Sequence, residues 1–581
     1  MQHEGFSAYP FRYERTGSQG VRHAGITGPR GIQRDRSVSG QVDIPDRQDD
    51  GRTSIGIIGS GPGGLSAAML LAHAGADVHV YEALPVIGGR SRRMEVGDFS
   101  FDTGPTFFMM PYVLEEIFNA TGRRLEDYCD LHRLDPMYRL LMGRKDQPPL
   151  QIDTTQDIET MAARLSEINP KDGDAFIRFM SDTRRKLELM EPILRRPIRG
   201  LGDFLSMDMI KAAPTIKPWK SLHGLLSTYF EDEQIRLALC FQSKYLGMSP
   251  FECPSLFSIL PFIEYEYGVW HPRGGCNALM SAMAEACTEM GVTISTSSRV
   301  DEITFDGRRA RGVMVNGTEH RHDQVVINAD AAWAISNLIP STLRRRWTDE
   351  KLESRRYSCS TFMLYLGLEG EVDLPHHTIY TSRSYVENIE DISSNTRLSE
   401  DPSLYVCNPS RLDPTLAPPG TTALYVLVPT PNTKADIDWE DSRDLLRTRA
   451  IRQLEEVLGI EQVEKRILAE KSITPEDWRS EGIAHGATFN LAHNIGQMLH
   501  RRPQHRLEDV DGVWMVGGGT HPGSGLPVIF LASEITTRLL CRETGLSDPM
   551  SSTSLPFRRT VAEGAPARKQ PDKEEATVGS H

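Results

Sequence analysis

The stretch TSIGIIGSGPGGLSAAMLLAHAGADVHVYE, residues 53–82, decides the fold of this chain. Its first part, 53–58, is an apolar run that stops at a glycine, which predicts a buried parallel strand. The segment 64–74 is rich in alanine and leucine and predicts a helix, and 77–82 predicts a second strand. A strand, a helix and a strand in this order form a βαβ unit, so we expect an α/β fold built on a parallel sheet.

Three glycines lie between the first strand and the helix. Gly59, Gly61 and Gly64 have the spacing G-x-G-x-x-G. In this motif the first glycine makes a tight turn, the second lets the backbone approach a pyrophosphate, and the third lets helix and strand pack closely. The helix N-terminus adds N–H groups and a partial positive charge. Glu82 ends the second strand, where an acid binds the hydroxyls of an adenosine ribose, so the stretch predicts a dinucleotide site without a 2′-phosphate.

Two motifs further along the chain favour FAD over NAD. GGRS occupies 88–91, just after Glu82, and FSFDTGPTFF occupies 99–108. Two glycines and an arginine beyond the ribose acid resemble the extended fingerprint of FAD enzymes of the amine-oxidase type. That resemblance implies that Arg90 lies along the phosphate and ribityl chain of FAD, and that Asp102-Thr103-Gly104 passes close to the flavin.

The C-terminal part supplies a second glycine-rich turn. A strand at 513–516 runs into GGGTHPGSGLP at 517–527, and a helix follows. Glycines before a helix leave backbone N–H groups available to a ligand. A helix start directed at the flavin pyrimidine stabilises the negative charge that a reduced flavin carries. We therefore expect the end of the chain to complete the FAD domain that residue 53 begins.

Together these motifs resemble the carotenoid and retinoid oxidoreductase family, which includes bacterial-type phytoene desaturases, diapophytoene desaturases and diapocarotenoid terminal oxidases. The resemblance covers roughly residues 53 to 542. It implies a two-domain flavoprotein that binds FAD noncovalently and oxidises long polyisoprenoid chains at a membrane. The motifs that carry it are GSGPGGLSAA (59–68), GGRS (88–91), FDTGPT (101–106), YLGMSP (245–250), YGVWHPRGG (267–275) and VGGGTHPGSGLP (516–527).

From the motifs and this resemblance we expect one set of residues to bind FAD. We predict no metal site, because the eight cysteines form no CxxC pair and no closely spaced His/Cys cluster. The expected cofactor-binding residues are Gly59, Gly61, Gly64, Glu82, Gly89, Arg90, Thr103, Gly104, Val300, Gly518, Gly519, Gly525, Leu526 and Pro527.

The candidates for proton handling are fewer. Asp208, in FLSMDMIKAAP, matches an acidic position proposed to assist in desaturases of this family, although the residue before it is Met207 here and often arginine there. Glu264, in PFIEYEYGVW, lies on a stretch that we predict to be a strand, so that Glu264 and Glu266 share one face. Either can be a base in an apolar site, and the alternative is a solvated strand face. His521, inside the flavin loop, is expected to orient the loop rather than to transfer protons.

The predicted fold class is α/β, with a discontinuous Rossmann-like FAD-binding domain of the amine-oxidase or glutathione-reductase type, an α+β substrate domain and a helical membrane-facing portion. Periodicity predicts helices over 155–250, a β-meander over 292–328, strands at 361–368 and 423–428, and a helix near 443–458. The predicted segments are a disordered leader 1–52, FAD-binding segments 53–130, 286–345 and 491–545, a helical substrate and membrane-facing domain 131–285, the β part of the substrate domain 346–490, and a disordered tail 546–581.

Composition and charge exclude several classes of protein. The 581 residues carry a net charge of −14, which disfavours binding to nucleic acid because phosphates require basic partners. Hydrophobic residues make up 39%, as in ordinary globular proteins. We find no apolar run of about 18 residues and no apolar core of a secretory signal near the N-terminus. We therefore expect a cytoplasmic protein.

One basic stretch suggests a membrane surface. Residues 184–220 contain nine basic and four acidic residues, interleaved with apolar side chains that include Trp219. Such a pattern suits a surface that binds anionic lipid, and Arg195, Arg196 and Arg199 are its candidate lipid contacts. The alternative is a soluble helical lid with a basic outer face. We therefore expect peripheral membrane association.

The leading functional hypothesis is an FAD-dependent desaturase in carotenoid biosynthesis. It acts on phytoene or a C30 diapophytoene chain by hydride transfer to flavin N5 and loss of a proton, with a quinone or oxygen as final electron acceptor. Oxidation of carotenoid terminal methyl groups to aldehyde or acid is a close alternative, since the loop THPGSGLPVIF resembles that of the terminal oxidases at Ser524, Leu526 and Val528. Polyene isomerisation, a retinol-saturase-like reduction and a nonenzymatic flavin-bearing carotenoid carrier are further alternatives.

Overall fold

The structure of the protein is a computed structural model that describes residues 51–217 and 219–551. The predicted leader and tail lie outside these ranges, apart from residues 51, 52 and 546–551. Within the two ranges the chain forms 19 strands and 16 α-helices. None of the helices in these ranges combines the length and the apolar character that a bilayer span needs.

The strands are three to ten residues long, and none of them lies within residues 154–269 of the described chain. They are β1 (Ser54–Ile58), β2 (Asp77–Tyr81), β3 (Arg93–Val96), β4 (Phe99–Asp102), β5 (Leu131–Arg133), β6 (Arg139–Arg144), β7 (Gln147–Asp153), β8 (Trp270–Pro272), β9 (Thr293–Ser295), β10 (Val300–Asp306), β11 (Arg309–Val315), β12 (Thr318–Arg321), β13 (Gln324–Ile327), β14 (Ser360–Glu369), β15 (His377–Thr381), β16 (Leu404–Cys407), β17 (Thr421–Thr430), β18 (Ile467–Ile473) and β19 (Val513–Met515).

The longest helix has 25 residues and lies at Pro170–Leu194. The helices are α1 (Pro62–His73), α2 (Pro111–Ala120), α3 (Ile158–Ile168), α4 (Pro170–Leu194), α5 (Met207–Ala212), α6 (Leu222–Leu226), α7 (Glu233–Ala238), α8 (Ile259–Tyr267), α9 (Asn277–Glu289), α10 (Ala331–Leu338), α11 (Asp349–Glu353), α12 (Tyr385–Ser393), α13 (Trp439–Glu456), α14 (Val463–Arg466), α15 (Pro475–Ser480) and α16 (Leu526–Thr544).

A five-stranded parallel sheet has the order β19-β13-β1-β2-β9. All five residues of β1 are buried, as expected for a central parallel strand covered by helices on its faces. Helix α1 begins at Pro62, two residues earlier than predicted, because proline is well suited to the first turn of a helix. The strands come from three separated parts of the chain, which confirms the predicted discontinuous Rossmann-like fold.

The predicted meander over 292–328 is formed only in its middle. Strands β10, β11 and β12 make a three-stranded antiparallel sheet. Strands β9 and β13, at the two ends, instead pair in parallel with β2 and β1. All four residues of β13 are buried, which suits the interior of a parallel sheet and not the half-exposed edge of a meander.

A seven-stranded sheet has the order β18-β14-β17-β16-β15-β6-β7. Its ten-residue strands β14 and β17 contain the predicted strands 361–368 and 423–428, and α13 contains most of the predicted helix near 443–458. Alternation along β14 directs Leu364 and Leu366 into a core with α13, whereas Met363 and Tyr365 face a core with Phe101 of β4. One face of this sheet is therefore turned towards the loop after β4.

The helices between residues 158 and 267 form a separate core of aromatic and aliphatic side chains, among them Phe176, Phe179 and Tyr265. The stretch PFIEYEY is part of helix α8, so the prediction of a strand there is wrong. Phe176 on α4 packs edge-on against Tyr265 at a centroid distance of 5.0 Å, and this packing overrides the β-propensity of the stretch. The boundaries of the predicted domains stay a prediction.

Candidate functional site

Close backbone contacts shape the glycine-rich turn after β1. Gly59 has a φ of +99° and donates its N–H to the carbonyl of Tyr81 at 2.8 Å, and a Cβ there would overlap the carbonyl oxygen of Asn328. A Cβ on Gly64 would overlap the carbonyl of Gly59. Gly61 precedes α1 in an extended conformation, and among the described residues no side chain caps the helix there. The first N–H groups of α1 can therefore bind an anion.

The carboxylate of Glu82, which directly follows β2, is hydrogen-bonded to this glycine-rich turn. One oxygen accepts hydrogen bonds from the N–H (2.9 Å) and the hydroxyl (2.7 Å) of Ser60, and the other accepts from the N–H of Leu84 at 2.9 Å. The N–H of Ser298 donates to the Glu82 carbonyl at 2.7 Å, which brings Val300 to the same end of the sheet. Glu82 thus lies where an acid binds the adenosine ribose in dinucleotide folds.

The GGRS loop packs on the glycine-rich turn. The N–H of Gly88 donates to the Ser60 carbonyl at 3.0 Å. The Arg90 guanidinium donates to the Thr488 carbonyl at 2.5 Å and to Oδ1 of Asn490 at 3.0 Å. Burial lowers the pKa of Arg90. Arg90 is therefore not a solvated loop charge, and it joins the first part of the fold to the segment around residue 490.

Two tyrosines of the seven-stranded sheet hold the loop after β4. The hydroxyl of Tyr365 donates to the Thr103 carbonyl at 2.6 Å, and the hydroxyl of Tyr425 donates to the Gly104 carbonyl at 2.8 Å. Asp102 accepts hydrogen bonds of 2.7 and 2.8 Å from backbone N–H groups at the start of α9. Desolvation raises the pKa of Asp102 to about 7, although these hydrogen bonds oppose it. The loop is thereby fixed between the two large sheets.

The loop 517–525 and the start of α16 complete the region. Gly525 has a φ of +113° and directly precedes the helix. Helix α16 lies beside α1, since the hydroxyl of Ser533 donates to the Gly63 carbonyl at 2.8 Å. This loop and the first turn of α16 contain the predicted cofactor residues Gly518, Gly519, Gly525, Leu526 and Pro527.

Comparison with known families matches residues 62–537 to the flavin containing amine oxidoreductases. The chain belongs to this family. A "4,4'-diapophytoene desaturase (4,4'-diapolycopene-forming)" of Methylomonas sp is 44% identical over 84% of this chain and 95% of the relative. An "All-trans-zeta-carotene desaturase" of Myxococcus xanthus is 40% identical over 84% of this chain and 93% of the relative. The resemblance to carotenoid oxidoreductases is confirmed.

Solved structures with the same fold are more distant in sequence. An oxidoreductase from Methanosarcina mazei gives a TM-score of 0.55 at 18% identity and covers 83% of this chain and 98% of its own. Cyclohexylamine oxidase from Brevibacterium oxydans IH-35A gives 0.53 at 15% identity, with 85% and 100% covered. At these identities the likeness shows the fold alone, and it confirms the predicted amine-oxidase type of FAD-binding fold.

FAD is the cofactor of this flavoprotein, and the residues present fit it. Gly59 and Gly64 have no room for a Cβ, and Glu82 lies beside the turn that they make. The GGRS loop, the loop at 103–104 and the start of α16 are the other parts that would hold FAD. The individual contacts of the predicted residues with FAD stay a prediction.

A buried carboxyl group lies in the aromatic core formed by the helices between residues 158 and 267. Glu264, on α8, has no exposed surface. Its Oε2 accepts hydrogen bonds from the hydroxyl of Tyr138 at 2.7 Å and from Nε2 of Gln242 at 2.9 Å. Its Oε1 accepts no hydrogen bond of ordinary geometry from the described residues, although the hydroxyl of Tyr245 is close enough to the carboxyl group to lower its pKa. Burial raises the pKa of Glu264 to about 7, against the effect of these hydrogen bonds. Such a group can exchange a proton near neutral pH.

The other predicted proton-handling residues lie in different surroundings. Glu266 does not share a face with Glu264, since it forms an ion pair of 2.5 Å with Arg184 at the surface. Asp208, on α5, forms an ion pair of 3.0 Å with Arg196. His521 is buried in the loop before α16, and burial lowers its pKa to about 4, so it is neutral near neutral pH. Catalytic roles for Asp208, Glu264 and His521 stay a prediction.

Sequence reasoning missed two residues that position the FAD loops. Asn328 follows β13 and donates from Nδ2 to the Gly59 carbonyl at 3.0 Å. Its place at the carboxyl end of a buried strand is a usable signal, because ligands bind at that edge of a parallel sheet. Arg502 is fully buried and donates to the carbonyl of Gly518 at 3.1 Å. The sequence does not distinguish it from the exposed Arg501 beside it.

Proposed function

We propose that this protein is an FAD-dependent desaturase that introduces double bonds into a long polyisoprenoid of the diapophytoene type. The observation that carries the proposal is an aromatic, buried region with one carboxyl group, placed next to the loop after β4. The 44% identity with the Methylomonas desaturase supports it. FAD supplies an acceptor for two electrons, and the protein contributes alignment and the exclusion of water.

The aromatic region is continuous from the FAD loop to Glu264. The ring of Phe107, three residues after Gly104, stacks on His377 at a centroid distance of 4.1 Å. It also lies 5.5 Å from the ring of Tyr245 and 6.0 Å from that of Tyr138, which donates to Glu264. Flat aromatic rings in a dry interior suit an apolar polyene chain.

Glu264 is the group that we assign to proton removal. Formation of a double bond removes a hydride equivalent from one carbon and a proton from its neighbour. The ionised Glu264 can take that proton at Oε1, while Tyr138 and Gln242 hold Oε2. Burial favours the neutral carboxylic acid that results, so the acceptance of the proton relieves a desolvated charge.

Anaerobic mixing with substrate tests the proposed activity. The FAD-loaded protein is combined with liposomes that contain either C30 diapophytoene or C40 phytoene. We expect bleaching of the flavin absorbance with the C30 chain and products that are lighter by two hydrogens for each step. Products with added oxygen would instead show terminal oxidation, and products of unchanged mass would show isomerisation. Uptake of the polyene without bleaching would show a carrier.

The electron acceptor is a separate part of the proposal. We propose that reduced FAD passes its electrons to a quinone or to oxygen. After anaerobic bleaching, a lipid-soluble quinone or oxygen is added alone, and recovery of the flavin absorbance is followed. We expect recovery at turnover rate with at least one of the two. Recovery with neither would overturn this part without affecting the desaturation.

An exposed apolar face supports the proposed peripheral membrane association. Leu205, Met207, Ile210 and Trp219 are 78%, 64%, 54% and 78% exposed. The exposed Lys211 lies on the same helix as Met207 and Ile210. Exposed apolar side chains next to a basic residue suit insertion at the surface of an anionic bilayer. We propose that this face binds the membrane from which the substrate is taken.

The three arginines that the sequence offers as lipid contacts have different surroundings. Arg195 is largely buried in ion pairs with Glu116 and Glu534, and Arg196 is paired with Asp208, so neither is a free lipid contact. Arg199 is exposed, and its contact with lipid stays a prediction.

Flotation with anionic liposomes tests the membrane proposal. We expect the double variant Leu205→Ser and Trp219→Ser to float much less than the wild type. The matched control is Leu468→Ser, which changes an equally apolar residue that is 57% exposed on β18. Equal flotation of wild type and double variant would exclude this face.

A further inference from the structure

Two histidines and a cysteine of the seven-stranded sheet converge at one buried point. His377 begins β15 and Cys407 ends β16, and the two residues are direct cross-strand partners. His376 is the neighbour of His377. One ligand atom from each of the three side chains lies within 4.8 Å of the others, and all three residues are buried. Strand pairing therefore brings together residues that are 30 positions apart in the sequence.

Two of the three separations within this cluster are close to those of ligands around a single tetrahedral ion, and the third is at most 4.8 Å. Nδ1 of His376 is 3.2 Å from Nε2 and 3.3 Å from Nδ1 of His377, and it is 3.8 Å from Sγ of Cys407. With Zn–N bonds of about 2.0–2.1 Å and a Zn–S bond of about 2.3 Å, tetrahedral geometry separates two nitrogens by about 3.3 Å and a nitrogen and a sulfur by about 3.6 Å. The separations from His376 match these values to a few tenths of an ångström.

Hydrogen bonds outside the cluster leave Nε2 of His377 available to bind a metal ion. Nδ1 of His377 is 2.7 Å from the hydroxyl of Tyr405, which is 2.6 Å from Oγ1 of Thr106. If Nδ1–H donates to Tyr405 and Tyr405 donates to Thr106, Nε2 keeps its lone pair. Such outer hydrogen bonds commonly fix the tautomer of a metal-binding histidine.

The fourth side of the cluster is open to a small cavity. The cavity is lined by His376 and Cys407 together with Asp102, Thr106 and His271. Nε2 of His271 faces Asp413 at 3.3 Å, so this ring already has a polar partner. A water molecule in the cavity can complete a tetrahedral site with three protein ligands.

We propose that His376, His377 and Cys407 bind one Zn²⁺ ion, with the fourth position open to this cavity. Imidazole and thiolate ligands select zinc and other transition metals over Mg²⁺ and Ca²⁺. Binding replaces the thiol proton of Cys407, which passes to the solvent, and no oxidation or reduction is involved. The sequence prediction of no metal site is revised by this proposal. The competing explanation is a hydrogen bond between the two imidazole rings beside a neutral thiol.

Metal analysis of the full-length flavoprotein tests the site. The protein is incubated with Zn²⁺, the excess is removed, and bound metals are measured by mass spectrometry. We expect one zinc per chain in the wild type and at least a tenfold weaker affinity in Cys407→Ser and His376→Asn. Cys359→Ser is the matched control, since Cys359 is a free cysteine outside the cluster, and it should bind zinc as the wild type does.

X-ray absorption at the zinc edge decides the outcome even if a variant fails to fold. We expect nitrogen scatterers at about 2.0 Å and one sulfur at about 2.3 Å in the wild type. Wild-type protein without bound zinc, or zinc without a sulfur ligand, would overturn the proposal. Stoichiometric copper in competition with zinc would overturn the assignment of the ion. The measurement is independent of the desaturation assay, so either proposal can fail alone.

Discussion

The hydroxyl of Tyr138 donates a hydrogen bond of 2.7 Å to the carboxylate of Glu264, which has no exposed surface. Tyr138 directly precedes β6 of the seven-stranded sheet, and Glu264 lies on α8 of the helical part. The hydrogen bonds from Tyr138 and Gln242 fall on the same oxygen, and the hydroxyl of Tyr245 is a third polar neighbour of the carboxyl group. This asymmetry holds one oxygen in place and leaves the other for a proton.

Replacement of Glu264 by glutamine should remove the proton acceptor without emptying its site. We expect turnover to fall by about 100-fold, since general-base catalysis typically contributes about 10²–10⁴-fold. FAD content should not change, because the residue lies outside the FAD loops. The matched control is Glu266→Gln, two residues away on α8, which should retain most of the activity. Equal losses in the two variants would argue against a specific role for Glu264.

The same carboxyl group should make stability depend on pH. Its pKa is raised to about 7 in the folded protein, so the folded state binds the proton more tightly than the unfolded state does. The resulting stabilisation is present at low pH and is lost as the pH rises to about 7 and above. Between about pH 5 and about pH 8, we expect the free energy of unfolding of the wild type to fall by about 2–3 kcal/mol relative to that of Glu264→Gln.

Urea unfolding of the two proteins across this pH range measures the effect. The difference between them removes the contribution of Asp102, whose pKa is also raised to about 7. Turnover should show the opposite trend and rise with pH through about 7, because the ionised form of Glu264 is the base. A pH-independent difference in stability would contradict the burial that we assign to Glu264.

Arg195 should be important for stability and not for lipid binding. It pairs with Glu191 at 2.9 Å, Glu116 at 2.8 Å and Glu534 at 3.0 Å, and it thereby joins the end of α4 to α2 and to α16. Removal of the cation leaves Glu116 and Glu191 without this ion-pair partner, and it leaves the buried Glu534 with only Arg538 at 3.5 Å. We expect Arg195→Met to lower the free energy of unfolding by about 3–5 kcal/mol.

Thermal and urea unfolding measure this loss, with the exposed Arg199→Met as control. The control should change stability by less than about 0.5 kcal/mol. If the two variants were equally stable, the ion pairs of Arg195 would contribute nothing to the fold.

The local motifs made the FAD side of the fold predictable from the sequence. The glycine spacing at 59–64 and Glu82 both follow from constraints within one βαβ unit, so a single stretch of chain contains the information. The helix α8 was not predictable in this way, because β-propensity favours a strand for PFIEYEY and only packing on α4 decides for a helix. The sequence therefore identified Glu264 as a candidate but placed it on a strand, whereas it lies on helix α8.

Contacts between distant parts of the chain were the main information that the sequence lacked. The cross-strand pair His377 and Cys407 depends on the register of β15 and β16, which no short motif specifies. The burial of Arg195 likewise depends on carboxylates from three helices. The sequence around Arg195 has the charge pattern of a lipid-binding surface. Two of the carboxylates that pair with Arg195, those of Glu116 and Glu534, lie in other segments of the chain.

The buried guanidinium of Arg502 joins the segment 491–492 to the glycine-rich loop 517–525. It donates to the carbonyls of Leu491 at 3.0 Å, Ala492 at 3.2 Å and Gly518 at 3.1 Å. Arg502→Met would leave the Leu491 carbonyl without a donor among the described residues, and it would leave the carbonyls of Ala492 and Gly518 with only the long contacts from Gln497 (3.5 Å) and Ser524 (3.4 Å). Loss of the partner of a buried polar group costs about 1–3 kcal/mol. We expect FAD affinity to fall by about 10- to 100-fold, measured by titration of the FAD-free protein. The adjacent, exposed Arg501→Met should bind FAD normally, and equal affinities in the two variants would show that the loop around Gly518 keeps its shape without this contact.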